Sequence, residues 1–147
     1  MKKLPALFAA LLFAVLLAGC GTTKPGLLGL KAEFVKIERS GDGATATWHL
    51  TNPNVVSYIV NESRHKLYVN GRYVGSVATK EAAGVPAQSN VTQSAPIALD
   101  KDGTRVLAAA GSSASYRVDS DLTIRLYGEI YEHHSSTAAG TVPIVTK

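Results

Sequence analysis

Few side chains in this sequence are equipped to do chemistry. The single cysteine, Cys20, carries the one thiol and hence the strongest nucleophile. Four histidines offer metal-ligand and acid–base groups. His133 and His134 are adjacent, with Glu132 before them, so on an extended chain the two imidazoles point to opposite faces and cannot chelate one ion; in a loop they could converge. A structural zinc site needs four converging ligands, and no such set is spaced here. His49 and His65 fall where solvent-facing strand residues are expected. Serines, histidines and acids abound, but no nucleophile-elbow sequence selects a triad from them. No catalytic residue, no metal and no cofactor is therefore expected.

Cys20 draws its meaning from the residues before it. Lys2 and Lys3 precede the apolar stretch Leu4 to Ala18, broken by Pro5, which is the layout of a signal peptide. The run is shorter than the roughly 20 residues that span a bilayer. It ends in Leu17-Ala18-Gly19-Cys20, which resembles the lipobox of bacterial lipoprotein precursors. The resemblance implies cleavage before Cys20, diacylglyceryl transfer to its sulfur and anchoring in a lipid bilayer by two or three acyl chains. One chain alone binds only marginally. By the same resemblance, Gly21 in place of Asp directs the protein to the outer membrane. The expected organisation is a lipoprotein signal peptide over 1–19, a lipidated cysteine and tether over 20–30, and one domain over 31–147. The Gly and Pro content of the tether opposes regular structure.

The formal charge of the whole chain is +4. Without Lys2 and Lys3, thirteen basic residues face eleven acidic ones. That is no dominant basic field, so nucleic acid is not an expected partner. With its one cysteine acylated, the domain has no internal disulfide and must be held by packing.

Residues 31–147 read as short strands. Ala44, Ala46, Trp48 and Leu50 alternate with Thr45, Thr47, His49 and Thr51, the period of a sheet buried on one side. From 121 to 131, Leu122, Ile124, Leu126, Gly128 and Ile130 share a face in the same way. Ser40-Gly41-Asp42-Gly43 predicts a hairpin, and Asn70-Gly71 a tighter one, because both residues tolerate positive φ. The spacing of Val106, Leu107 and Ala110 predicts a short helix over 101–110, capped by Asp100 or Asp102. A last strand is expected over 141–146, after a loop from His133 to Gly140. Trp48, Phe34 and the Leu122 to Ile130 ladder are the expected core. These elements predict an all-β fold, an immunoglobulin/fibronectin-like antiparallel β-sandwich of about seven strands with one short helix. A small open barrel is the alternative, since periodicity does not distinguish closure from stacking.

The stretch Trp48-His49-Leu50-Thr51-Asn52-Pro53-Asn54, followed by Leu67-Tyr68-Val69-Asn70-Gly71, resembles the WHy (water stress and hypersensitive response) domain of the atypical, type 2 late embryogenesis abundant proteins. The resemblance covers about 31–146. It makes Asn52, Pro53, Asn54, Asn70 and Gly71 shape-giving rather than chemical residues: Pro53 ends ladder bonding where the chain leaves the sheet, and the asparagines bond nearby backbone. Two departures stand out. Val55, Val56 and Ser57 follow the turn where relatives often place a Phe-Pro pair, and Arg64, His65 and Lys66 occupy strand positions that are usually apolar or aromatic. A wetter, more basic surface is expected there. Family and address together imply a non-enzymatic stress-protection lipoprotein at the periplasmic face of the outer membrane, acting in desiccation, with envelope proteins as clients. The alternative is a protein-interaction module in an envelope assembly.

Overall fold

The computed structural model describes residues 29–126 and 130–147, with side chains described outside 126–132. The strands are β1 (Lys31–Ser40), β2 (Gly43–Asn52), β3 (Tyr58–Val69), β4 (Arg72–Thr79), β5 (Ala83–Val85), β6 (Ser89–Leu99), β7 (Ser113–Leu126) and β8 (Ile130–Thr146). One helix, α1 (Gly103–Ala109), lies between β6 and β7.

Local sequence explains the hairpins. Gly41 at φ 56° turns β1 into β2, and Asn70 at 49° with Gly71 at 76° turns β3 into β4. Two successive residues in the left-handed region match the right-handed twist of the flanking strands. The alternation read over 44–51 is the observed one, with Ala44, Ala46, Trp48 and Leu50 all buried.

The strands run in the order β4-β6-β2-β1-β8-β7-β3-β5, and β4 also pairs with β3. Seven strands thus close into a barrel, with β5 as an extra strand on β3. This overturns the expected immunoglobulin/fibronectin-like sandwich, which would keep two separate sheets. Two strands make the closure by changing neighbours along their length. β6 pairs with β2 through Ser89–Pro96 and then with β4 through Ile97–Leu99. β8 pairs with β7 from Ile130 to Pro143 and then, in parallel, with β1 from Ile144 to Thr146.

Three further expectations are corrected. The strand read over 121–131 is the end of β7 and the start of β8, which pair back on each other from Leu126 and Ile130. Residues 133–140 are not a loop but the middle of β8, opposite Thr123 to Tyr116. The Arg64-His65-Lys66 strand is not uniformly wet: Arg64 and Lys66 are exposed, while His65 is only 1 % exposed. A register shift between Val60 and Glu62 explains this. Before it Tyr58 and Val60 point inward; after it Ser63, His65, Leu67 and Val69 do.

The core holds Trp48, Ile37, Leu50, Leu67, Leu122 and Ile124, all at or near zero exposure, with Phe34 beside them. Leu126, Gly128 and Ile130 of the expected ladder lie outside the described side chains. The helix closes the end of the barrel that holds the Asn70-Gly71 turn. Val106 and Leu107 are its buried residues, and Gly103 presses on β4 so closely that a Cβ there would sit 2.2 Å from the Val74 carbonyl oxygen. Asp102 stands at its N-cap without a side-chain cap bond and pairs instead with Arg105 at 2.9 Å.

Candidate functional site

Two constellations deserve comparison: one polar cluster sealed inside the barrel and one stapled turn at its end. Inside, β3 and β7 place His65 opposite Ser120, and the imidazole Nδ1 shares a 2.9 Å hydrogen bond with the Ser120 Oγ. The ring stands edge-on to Trp48 at 4.9 Å between centroids and to Phe34 at 5.8 Å, and those two rings stack on each other. Loss of hydration lowers the His65 pKa to about 4, against a smaller opposing pull from Asp121, so the imidazole is neutral near pH 7. Its Nε2, the Trp48 Nε1 and the Ser63 Oγ have no hydrogen-bond partner. Nearby, the Tyr116 hydroxyl accepts a hydrogen bond from the Phe34 amide at 3.2 Å, and burial pushes its phenol pKa up.

A hydrogen-bonded Ser–His pair is half of a nucleophilic triad, but this one has the wrong surroundings. His65 is 1 % and Ser120 2 % exposed, so no substrate carbonyl can approach the Oγ. What the pair does is satisfy one polar group of each partner in a core that otherwise stacks aromatic rings. The sequence contained a pointer to it, because His65 is in phase with Leu67 and Val69.

The other constellation is the Asn52-Pro53-Asn54 turn. Asn52 is fully buried at the end of β2. Its amide nitrogen donates to the carbonyls of Val56 at 2.8 Å, Pro86 at 3.0 Å and Val85 at 3.3 Å. Its Oδ1 accepts from the Asn54 backbone amide at 2.9 Å and from the Asn54 side-chain amide at 3.2 Å. The Gln88 amide, from a residue at φ 52°, donates to the Asn54 carbonyl at 2.9 Å. One side chain thus welds the β2–β3 turn to the segment between β5 and β6. Beside it a cleft of about 540 Å³ opens between Tyr58-Ile59 of β3, Gly84-Val85 of β5 and Arg125 of β7.

The motif residues do not form one site. Asn70 and Gly71 lie at the opposite end of the barrel, where the Asn70 Oδ1 accepts from the Ser115 amide at 3.2 Å and the Asn70 amide donates to the Ser115 carbonyl at 2.9 Å. Cys20 and its context Leu17, Ala18 and Gly19 lie outside the described residues. The chain enters the described domain at the Asn52 end: Gly29 packs toward the Pro53 ring, and the His134 Nε2 lies 3.1 Å from the Leu30 carbonyl. His133 and His134 are on a strand, one against Thr123 and the other against Leu30. They therefore face apart. Among the described residues no three His, Cys, Asp or Glu side chains gather as a metal site, and no helix is long and apolar enough to cross a membrane.

No family model and no curated protein matches this sequence. Solved structures do share its fold. A protein from Arabidopsis thaliana, solved in solution, superposes with a TM-score of 0.56 at 14% identity, covering 86% of this chain and 90% of that one. A putative late embryogenesis abundant (LEA) protein, also solved in solution, gives 0.53 at 13% identity over 96% of this chain and 85% of that one. The likeness is one of fold alone.

Proposed function

We propose that this protein is a non-enzymatic lipoprotein, held by acylated Cys20 at the periplasmic face of the outer membrane, that protects envelope proteins or lipids when water activity falls. The observation that carries the reading is the fold shared with an LEA protein in a sequence that also contains Leu17-Ala18-Gly19-Cys20.

The physical features of the barrel suit such work. Closure leaves no strand of the ring without two neighbours, which limits the edge-to-edge pairing that drives aggregation. The outer faces of β3 and β7 carry charged side chains. Arg64 pairs with Glu62, and Asp119 accepts from Arg117 and Thr137 at 3.3 and 3.1 Å. Such groups can bond to a client or headgroup that has lost its water.

The test has two arms. Cys20→Ser is expected to release the protein from membranes after a high-salt wash and to abolish incorporation of labelled fatty acid. A deletion strain is expected to lose survival and envelope integrity on drying relative to its complemented parent. Equal survival overturns the protective role, and unchanged partitioning of the Ser variant overturns the anchor. Crosslinking in intact cells separates the alternative: a single stoichiometric partner would mark an envelope-assembly module, whereas many weak clients fit protection.

A further inference from the structure

The two ends of the barrel differ in charge. Residues 43–61 and 82–99 contain no Asp, Glu, Lys or Arg. The turn at 53–57 and the segment 86–88 both fall within these stretches, and Asn52 joins them. Among the described side chains, the charges near them are Lys31, where β1 begins, and Arg125, beside Tyr58 and Pro86, with Lys80 and Glu81 farther along in the link from β4 to β5. The opposite end carries Asp42, Arg72, Asp100, Lys101, Asp102 and Lys147.

The end that holds these two uncharged segments is also where the chain enters from the direction of Cys20, at Gly29 beside Pro53. Only eight residues separate Cys20 from Gly29, so nine Cα steps of ~3.6 Å cap the span at about 30 Å whatever path they take. At this end Val55 is 79 % exposed on a turn fixed by the Asn52 hydrogen bonds. A large apolar side chain held out by a preorganised loop that itself carries no charge matches the interfacial region of a bilayer, where apolar contact is favourable and the basic Lys31 and Arg125 nearby can meet anionic headgroups.

We infer that the 53–57 turn and the 86–88 segment form the surface on which the barrel rests against the bilayer, with Val55 entering the headgroup–acyl boundary. This rests on the lipid-anchor reading above and adds an orientation to it: the charged helix end points away from the membrane.

The experiment uses the full-length lipidated protein in vesicles of phosphatidylethanolamine and phosphatidylglycerol. Acylation consumes the Cys20 thiol, so Val55→Cys or Val145→Cys supplies one labelling site for an environment-sensitive dye. Val145, 43 % exposed, lies at the far end of β8. The dye at 55 is expected to shift to the blue and to be quenched by lipid-borne quenchers at least about twofold more than at 145. Equal, water-like emission at both positions in protein that still floats with the vesicles overturns the orientation and leaves the anchor standing. Protein that fails to float overturns the anchor and the inference together. A blue shift at 55 without lipid quenching overturns the bilayer as occupant and assigns the surface to a second copy of this chain.

Discussion

His65 is uncharged at neutral pH because its imidazole is buried between Trp48 and Phe34, and this makes stability depend on acid. Its pKa is lowered from 6.5 to about 4 in the folded protein. Between those values the unfolded chain binds a proton that the native state refuses, so stability is lost as pH falls from about 6.5 toward 4, at about 1.4 kcal/mol per unit from this group. Chemical denaturation at pH 7, 6 and 5 should show that slope, and His65→Phe should flatten it relative to the parent. An unchanged slope in the variant would assign the acid sensitivity to other groups. Asn52 is the second residue with a large expected effect. Asn52→Ala removes every side-chain bond that Asn52 makes and leaves carbonyls of the turn and of Val85 and Pro86 without that donor, an expected loss of about 2–3 kcal/mol in urea midpoint experiments. Asn52→Asp should be worse at pH 7, because a buried carboxylate would face the same carbonyl oxygens. The Asn-Pro-Asn sequence was legible as a turn; its carbonyl partners on Val85 and Pro86 were not, because they lie 33 and 34 residues along the chain.

Glycines decide how elements meet. At Gly75, φ is +157°, and a Cβ would fall 2.3 Å from the Ala98 carbonyl oxygen on β6. Gly75→Ala must therefore push β4 off β6 at the seam that closes the barrel, with an expected loss of about 2–3 kcal/mol. Gly84→Ala on β5 meets nothing within 4 Å and should stay within about 0.5 kcal/mol of the parent. Equal costs at the two positions would disprove the seam's role. Elements with glycine or asparagine punctuation, such as the β1–β2 and β3–β4 hairpins, could be located by inspection. β8 could not. His134, Ser136 and Ala138 are its half-buried residues between exposed His133, Ser135, Thr137 and Ala139, so an apolar alternation is absent. Its pairing comes from β7, and the Tyr116 ring fills the space over Gly140, 3.1 Å from where a Cβ would stand.

One core inside one closed ring should unfold as a unit. Trp48 is the sole tryptophan and has no exposure, so its fluorescence reports the centre while far-UV circular dichroism reports the strands. Coincident urea transitions by both probes are expected; separated ones would show that the β1-β2-β6 half and the β3-β7-β8 half come apart independently. The sequence by itself determined that the domain is built of strands, where its sharpest turns fall, that Trp48, Phe34 and Leu122 are interior, and that a short helix precedes β7. Each follows from local sterics or from the two-residue period, which records the face a side chain takes. That period says nothing about which strand lies alongside. Closure therefore waited on tertiary structure, where β6 and β8 run long enough to change partners and β4 bridges β3 to β6. The inward turn of His65 waited on it too, because a register shift in β3 exchanges the two faces of the strand.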